Sequence, residues 1–186
     1  MRAYYEYFRK LILPLEQIDN AIPKKGKIID LGCGQGQIAY ILSNQFGRVV
    51  IGIDANNKRL PKYSRKNLVF KKADITKLTL NKISGAVLSD VLHHLSLTDQ
   101  HALVKKIFKS LEKSGVLVIK EIDSKEFIRS HLSRLWDFIL YPQDKITFTN
   151  SDYLKKSLIK IGFKVNILRP GRYFPGSTTL YICTKK

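Results

Sequence analysis

Glycines and acidic residues lie close together in the first third of the chain. Gly32, Gly34 and Gly36 follow a short apolar run, and Asp30 lies two residues before the first of them. Apolar side chains recur at helical spacing over residues 35–46, so the glycines occupy a turn between a buried strand and a helix. Glycine allows the backbone to turn tightly there and a ligand to approach the main chain. The amides at the start of the helix are expected to bind a negatively charged or electron-rich group.

The two acidic residues restrict the class of ligand that the turn can bind. Asp30 is predicted to face the mouth of the turn, where a carboxylate repels a pyrophosphate but attracts an ammonium or sulfonium group. Asp54 ends the next apolar run, at the interval from Gly32 where an acid accepts hydrogen bonds from ribose hydroxyls. The pattern therefore favours a positively charged ligand that carries a ribose.

A second group of polar side chains follows the predicted fourth strand. Asp90 ends an apolar run over residues 83–90, and His93 and His94 come after it. In a doubly wound sheet, ligands bind at this carboxyl edge of the strands. Either histidine is a candidate general base, because imidazole titrates close to cellular pH. The alternative is that one histidine packs against the ligand while the other caps the loop or faces solvent.

Two charged residues end the predicted fifth strand at the same edge. Lys120 and Glu121 are neighbours in the chain. Because side chains alternate along a strand, one of them is expected to face the pocket while the other faces away. Lys120 is the candidate catalytic residue of the two. A structural salt bridge is the alternative, and the sequence favours it for Glu121.

Hydrophobic periodicity predicts the elements that position these residues. The predicted strands cover residues 28–31, 49–54, 68–70, 83–90 and 116–119, and the predicted helices cover residues 35–46, 55–65, 99–111, 124–140 and 153–161. This alternation of strands and helices predicts a parallel sheet with right-handed crossovers. The last two apolar runs, over residues 163–168 and 178–184, predict an antiparallel pair at the sheet edge.

The glycine turn and its two acids resemble motifs I and II of the class I S-adenosylmethionine-dependent methyltransferases. The resemblance implies an α/β, Rossmann-like fold with a seven-stranded, mostly parallel sheet, an antiparallel C-terminal strand and helices on both faces. It implies S-adenosyl-L-methionine as the cofactor and S-adenosyl-L-homocysteine as its product. The residues implied to bind the cofactor are Asp30, Gly32, Cys33, Gly34, Gly36, Asp54, Ala55, Asp74, Ile75 and Asp90. Among them, Asp74 would accept a hydrogen bond from the adenine amine, Ile75 would contact the adenine ring, and Asp90 would lie near the methionine or the acceptor.

The length of 186 residues suits a single domain with its own core. We expect an N-terminal helical lid over residues 1–25, a cofactor-binding core over residues 26–122, and acceptor-side helices with a C-terminal β-hairpin over residues 123–186. The lid is implied by the resemblance, because such a segment often folds over the cofactor. Packing of its aromatic side chains on the sheet is the alternative.

The chain is strongly basic, with 33 Lys and Arg against 15 Asp and Glu and a formal net charge of +18. Such an excess suggests a polyanionic partner, either an anionic membrane surface or RNA. Many of the lysines occur in separate pairs, which also fits a solvated surface. The sequence has only two cysteines, and it has no apolar run of the ~20 residues that span a bilayer. These features predict a reduced, cytoplasmic protein, and peripheral contact with a membrane is an alternative. No metal site and no stable protein partner are predicted.

We therefore expect methyl transfer from the cofactor to a small, partly apolar acceptor, such as a lipid, a quinone or an aromatic metabolite. The candidate catalytic residues are His93, His94 and Lys120. Residues 89–92 lack the prolines and the aromatic side chain that hold a base amine in other methyltransferases, which argues against methylation of a base amine.

Two alternatives to this function remain open. Asp90 and Lys120 are similar to two members of the Lys-Asp-Lys-Glu set of RNA ribose 2′-O-methyltransferases. Lys10 is a loose candidate for the first lysine, and no glutamate follows Glu126 to supply the final acid. The other alternative is a non-catalytic scaffold that binds the cofactor.

Overall fold

A seven-stranded sheet forms the centre of the molecule. The computed structural model describes residues 13–122, 150–170 and 178–186. Within these ranges the strand order is β3-β2-β1-β4-β5-β7-β6. The strands are β1 (Gly26–Leu31), β2 (Arg48–Asp54), β3 (Leu68–Lys72), β4 (Ile83–Ser89), β5 (Leu111–Ile122), β6 (Phe163–Leu168) and β7 (Thr178–Lys185). The helices are α1 (Leu15–Ala21), α2 (Gln37–Ser43), α3 (Leu97–Ser110) and α4 (Ser151–Ile161), and a 3₁₀ turn covers Leu92–His94.

The pairing of the strands confirms the predicted fold class. Strands β1 to β5 pair in parallel, whereas β7 lies antiparallel between β5 and β6. The carboxyl ends of β1, β2, β4 and β5 therefore meet at one edge of the sheet, which is called the ligand edge below. Most of the residues singled out in the sequence analysis lie at or directly after these four strand ends, and Asp74 and Ile75 follow the end of β3.

Helices cover both faces of the sheet. Neighbouring residues of one strand contribute to different cores, because side chains alternate along a strand. Ile28 and Val50 belong to the core that contains residues of α1 and α2. Ile29 and Ile53 belong to the core that contains residues of α3 and α4. Burial on both faces explains why the central strands are near-continuous apolar runs.

The helix predicted over residues 55–65 is absent, and turns occupy this segment instead. The amide of Asn56 donates to Asp54 Oδ1, and the side chain of Asn56 accepts from the amide of Lys58 at 3.0 Å. Such side-chain bonds compete with the helical pattern, and Pro61 removes a further amide donor. The helix predicted over residues 35–46 is also shorter, ending at Ser43.

Buried Arg48 joins α1 to the start of β2. Its guanidinium is fully buried and forms an ion pair with Asp19. It also donates to the carbonyls of Pro23 at 2.7 Å, Ile22 at 2.9 Å and Leu42 at 3.2 Å. These bonds satisfy the buried cation and fix α1 against the sheet.

Three predicted segments lie wholly or partly outside the described residues. They are the first part of the lid (residues 1–12), the acceptor-side helix (residues 124–140) and the loop between β6 and β7. The described part of the predicted lid contributes Leu13, Ile18 and Ile22 to the core beside α2. The division of the domain into lid, core and acceptor side stays a prediction.

Candidate functional site

The glycine turn joins β1 to α2 at the ligand edge. Gly32, Gly34 and Gly36 have φ angles of +75°, +52° and +74°, which L side chains rarely adopt. The amides of Gly32 and Cys33 donate to the carbonyl of Ile53 at 2.7 and 3.0 Å, and the amide of Gly36 donates to the carbonyl of Cys33 at 2.8 Å. The predicted tight turn is present, and it is held by the end of β2.

Asp54 ties the middle of this turn to β2. Its Oδ2 accepts from the amide of Gly34 at 2.8 Å, and its Oδ1 accepts from the amide of Asn56 at 2.8 Å. Each carboxylate oxygen keeps a further lone pair. Asp54 can therefore accept hydrogen bonds from ligand hydroxyls while it continues to hold the turn.

Asp30 is buried against the start of α2. It is only 1% exposed, and its Oδ2 accepts from the amide of Ala39 at 3.1 Å. That amide lies in the first turn of the helix, where an acceptor satisfies an otherwise unpaired donor and the helix dipole favours an anion. The amide of Ala39 is therefore already bonded, and the carboxylate engages the helix rather than an open mouth of the turn. Cofactor contact by Asp30 stays a prediction.

Two glutamines of the turn carry buried oxygens that lack a hydrogen-bond partner among the described residues. They are Oε1 of Gln35 and Oε1 of Gln37. Buried polar atoms are normally bonded, so two such acceptors at the turn suit a ligand that is rich in hydroxyl and ammonium donors. The predicted cofactor carries both kinds of donor, and the residues at the turn therefore fit it.

Cys33 supplies a neutral thiol to the turn. Burial and the nearby charges of Asp30 and Asp54 raise the pKa of the Cys33 thiol far above its ordinary value. A neutral buried thiol acts as a small apolar group. Any contact of Cys33 with the predicted cofactor is thus one of packing rather than of charge.

The three residues predicted after β2 and β3 are less buried. Ala55 is exposed beside Asp54, and Ile75 is half-buried against the α3 side of the core. Asp74 is exposed, and its Oδ1 accepts from the hydroxyl and the amide of Thr76 at 2.7 and 2.9 Å. These hydrogen bonds hold the pKa of Asp74 below its ordinary value. The adenine contacts of Asp74 and Ile75 stay predictions.

Val91 brings the glycine turn into contact with the segment after β4. A Cβ atom added at Gly32 would lie 2.4 Å from Cγ2 of Val91, so the two residues are packed together. The side chain of Val91 is buried. The two groups of residues that the sequence places far apart therefore form one continuous region at the ligand edge.

Asp90 and Lys120 form an ion pair in this region. Nζ of Lys120 donates to Oδ1 and Oδ2 of Asp90 at 2.6 and 2.8 Å, and the amide of Asp90 donates to the carbonyl of Lys120 at 3.0 Å. The Lys120 side chain is 2% exposed and that of Asp90 is 29% exposed. Direct catalysis by Lys120 would require this pair to separate, so the geometry favours the salt-bridge alternative for Lys120.

His93 pairs with Glu121 across the adjacent strand ends. Nδ1 of His93 lies 2.7 Å from Oε2 of Glu121, while Oε1 of Glu121 accepts from the amide of Leu92 at 2.9 Å. His93 is 3% exposed, and the half-buried ring of His94 lies 4.3 Å from it, centroid to centroid. A carboxylate on one ring nitrogen selects the tautomer and orients the imidazole, as general bases require.

Four residues of this region were not among the predicted site residues: Gln35, Gln37, Val91 and Glu121. Glu121 could have been found, because adjacent parallel strands place the ends of β4 and β5 side by side. Nothing in the sequence distinguishes the two glutamines or Val91, since their importance depends on which atoms surround them.

Two kinds of feature are absent from the described residues. No helix there is long and apolar enough to cross a membrane. No group of three or more histidine, cysteine or acidic side chains there could hold a metal ion.

The amino-acid sequence is similar to those of known proteins. A family model described as a methyltransferase domain matches residues 1–166. A curated relative, the carboxy-S-adenosyl-L-methionine synthase of Aliivibrio fischeri (strain MJ11), is 29% identical over 105 residues, which are 50% of this chain and 43% of that protein. The chain thus spans less than half the length of this relative.

Comparison at the level of structure gives similar folds over most of the chain. A SAM-dependent methyltransferase from Archaeoglobus fulgidus aligns with a TM-score of 0.74 and 17% identity, over 98% of this chain and 99% of that one. Human N-acetylserotonin methyltransferase in complex with SAM aligns with a TM-score of 0.72 and 17% identity, over 93% of this chain and 52% of that one. At these identities the likeness shows the fold alone.

Proposed function

This chain belongs to the methyltransferase domain family, and we propose that it transfers a methyl group from S-adenosyl-L-methionine to a small, partly apolar acceptor. The acceptor class is a lipid, a quinone or an aromatic metabolite. The family match confirms the predicted class I methyltransferase and, with it, S-adenosyl-L-methionine as the cofactor. The acceptor and the roles of the site residues belong to the proposal.

The cofactor supplies an electrophilic methyl group when it is bound. We assign the ribose hydroxyls to Asp54, whose carboxylate has lone pairs to spare, and the cationic part of the cofactor to the oxygens of the turn, including those of Gln35 and Gln37. Acceptor atoms attract a sulfonium and an ammonium group and would repel a pyrophosphate. The donor and acceptor chemistry of the turn therefore supports this cofactor over a dinucleotide.

The main support for this proposal is the contact between Gly32 and Val91. In this contact the glycine turn, to which we assign the cofactor, packs against the segment that carries His93. A methyl transfer needs the nucleophile in line with the methyl group, and the protein mainly orients it and removes its proton. His93, held by Glu121, can take a proton from an acceptor hydroxyl or amine, so a base lies in the region that such a transfer requires.

The segment after β4 also supports the acceptor class. Residues 89–92 contain no proline and no aromatic side chain of the kind that holds a base amine in other methyltransferases. The side chains of Val91 and Leu92 are buried and apolar. A wall of this type suits an apolar acceptor better than a polar base.

The first test is calorimetric titration with S-adenosyl-L-methionine, S-adenosyl-L-homocysteine and NAD. We expect binding of both sulfur ligands and none of NAD, and we expect Asp54→Ala to abolish the binding. Glu112→Gln, a change of an acid whose carboxylate contacts Ser84 at an exposed site, is the control. Retained binding in Asp54→Ala would overturn the ribose assignment, and absence of binding in the unmodified protein would favour the scaffold alternative.

The second test identifies the acceptor. Labelled methyl transfer from S-adenosyl-L-methionine is measured with a lipid and quinone extract and, in parallel, with bulk RNA. Label in the extract supports the proposal. Label in the ribose of RNA alone would replace it with the 2′-O-methyltransferase alternative.

Similarity to the carboxy-S-adenosyl-L-methionine synthase favours one second candidate. In that case a hydrogen of the cofactor's methyl group would be replaced by a carboxyl group from a second substrate, a carboxylic acid supplied by the cell extract, and the hydrogen would pass to the decarboxylated acid; the cofactor would become a carboxylated sulfonium instead of a methyl donor. Mass spectrometry of the sulfonium products, after incubation with the cofactor and a cell extract, separates the two. A heavier, carboxylated sulfonium supports the second candidate, whereas S-adenosyl-L-homocysteine supports methyl transfer.

A further inference from the structure

Exposed apolar side chains meet lysines at the amino-terminal edge of the sheet, opposite the ligand edge. Phe46, Val49 and Val69 are 95%, 50% and 37% exposed. Four exposed lysines accompany them, namely Lys24, Lys25, Lys27 and Lys66. These seven residues are called the basal patch. We propose that the basal patch binds the surface of an anionic lipid bilayer.

Short contacts between the turns that precede β1 and β2 bring these residues together. The amide of Gly26 donates to the carbonyl of Gly47 at 2.9 Å, and a Cβ atom at Gly47 would lie 3.2 Å from Cβ of Lys25. The turn that carries Phe46 therefore lies against the turn that carries Lys24 and Lys25. Within the sheet, Lys27 is the register partner of Val49.

Asn67 holds the segment before β3, which carries Lys66, against the rest of the patch. Its side-chain amide donates to the carbonyls of Ser43 and Arg48 at 2.7 and 3.3 Å, and its carbonyl accepts from the amide of Val50 at 2.8 Å. Lys66 is thereby held beside the turn that follows α2. The patch is thus built on hydrogen-bonded turns rather than on a loose loop.

The apolar part of the patch is uncovered for a structural reason. Val69 is the register partner of Ile51, so it shares a sheet face with Val49. The connection from β3 to β4 covers residues 73–82, all of them described, and contains no helix. Among the described residues, this face of β2 and β3 therefore lacks the helical cover that the centre of the sheet has.

The charge around the apolar residues selects an anionic partner. The chain segments that form the patch, residues 20–29, 44–53 and 60–73, contain no Asp or Glu. The described ion pairs include Lys24 with Asp19 at 3.9 Å, and none involves Lys25, Lys27 or Lys66. Lysines near an anionic membrane attract its headgroups, while aromatic and aliphatic side chains enter the boundary of the acyl chains.

The aliphatic residues favour a bilayer over RNA. Single-stranded nucleic acid binds to aromatic rings on which its bases stack. Phe46 could act in that way, but Val49 and Val69 cannot, and they gain from contact with hydrocarbon. An almost fully exposed phenylalanine at the tip of a turn is suited to insertion into the bilayer.

The experiment is co-sedimentation with vesicles of phosphatidylglycerol and phosphatidylcholine, compared with vesicles of phosphatidylcholine alone. We expect binding to the anionic vesicles only. We expect Phe46→Ser and the double change Lys24→Glu/Lys25→Glu each to reduce the partition coefficient about tenfold or more, since each lysine near the surface contributes several-fold to binding. Matched controls on α4 are Tyr153→Ser and Lys155→Glu/Lys156→Glu, which change an aromatic residue and a lysine pair that are also exposed.

Folding of each variant is verified by its affinity for S-adenosyl-L-homocysteine, which the variants should retain because the basal patch lies opposite the ligand edge. Absence of vesicle binding would overturn the proposal. So would equal losses in the α4 controls, which would indicate general attraction by net charge. If the protein bound RNA through Phe46 and did not bind vesicles, the patch would be assigned to RNA. If the protein formed a dimer that Phe46→Ser dissociated, the patch would be assigned to a second copy of the chain.

Discussion

Two carboxylates at the ligand edge each bind two partners. For Asp54 both partners are backbone amides, whereas for Glu121 they are a backbone amide and a histidine ring. Asp54 accepts from the amides of Gly34 and Asn56, and Glu121 accepts from the amide of Leu92 while it contacts His93. A carboxylate can do this because its two oxygens offer several lone pairs. Removal of either acid is therefore expected to alter the backbone of the site as well as its charge.

Glu121→Gln separates these two roles. The amide oxygen can still accept from Leu92, but the negative charge beside His93 is lost. If His93 is the base, we expect kcat to fall about a hundredfold, with unchanged affinity for S-adenosyl-L-homocysteine. The measurement is steady-state kinetics with the acceptor found in the second test above, and Glu112→Gln is the control. An unchanged kcat would show that the pair is structural.

Asp90→Asn tests the ion pair with Lys120. Asparagine tolerates the positive φ of +57° found at this position, so the change removes the charge and leaves Lys120 buried without its anionic partner. We expect the free energy of unfolding to fall by about 3 kcal/mol, measured by urea denaturation. Adding Lys120→Met should recover part of the loss, because no buried charge is then left unpaired. A double variant whose loss equals the sum of the single losses would contradict this account.

At the scale of elements, α1 and β2 depend on one buried cation. Arg48 and Lys24 both approach Asp19, but the Arg48 side chain is 0% exposed and the Lys24 side chain is 57% exposed. Because of this contrast, substitutions of the two residues can test how much burial of an ion pair contributes to the free energy of unfolding.

Arg48→Met should destabilise the protein by about 3 kcal/mol or more, because it leaves several buried carbonyls without donors. Lys24→Met should change stability by no more than about 0.5 kcal/mol, since exposed pairs contribute little. Chemical denaturation of both variants is the measurement. Similar losses for the two would mean that the charge of Asp19, rather than the buried network, governs the docking of α1.

The same scale explains the wrong helix prediction over residues 55–65. The segment was predicted as a helix interrupted by Pro61, but Asn56 accepts from the amide two residues ahead and Pro61 cannot donate. Local side-chain bonds of this kind favour turns. The resulting segment leads from Asp54 to β3 without a helix.

At the scale of the whole molecule, two buried thiols couple stability to alkaline pH. Burial raises the pKa of the thiols of Cys33 and Cys183 well above their ordinary value of 9.0. Both states hold the thiol protons below that pH. Above it the unfolded chain loses them first, so the free energy of unfolding should fall by about 1.4 kcal/mol per pH unit for each thiol.

Denaturation curves between pH 7 and pH 11 test this expectation on the unmodified protein and on Cys33→Ala/Cys183→Ala. The double variant should show a shallower alkaline decline, whatever its stability at pH 7. Parallel pH curves for the two proteins would contradict the assignment to the thiols.

The molecule also places its two candidate contact regions at opposite ends of the same strands. The ligand edge holds the glycine turn, whereas the basal patch surrounds the starts of β1, β2 and β3. A protein bound through the basal patch would direct its ligand edge away from the bilayer. Membrane contact would then set location rather than open the site to the lipid phase.

Sequence alone determined the glycine turn, the strands of the sheet and the methyltransferase class. The turn and the strands follow from residues that are neighbours in the chain, namely short apolar runs, closely spaced glycines and acids at strand ends, and the class follows from the resemblance of this motif to a known family. Such local patterns can be read before any contact between distant segments is known.

Tertiary structure decided which side chains meet. Lys120 and Asp90 are 30 residues apart, and Glu121 and His93 are 28 apart. They pair because β4 and β5 lie side by side in a fixed register, which no local pattern specifies. The exposure of Phe46 likewise depends on where α2 ends, and that of Val69 depends on the connection over the described residues 73–82, which contains no helix. Pairing and exposure are properties of the packed sheet, because they depend on distances between segments that only folding brings together.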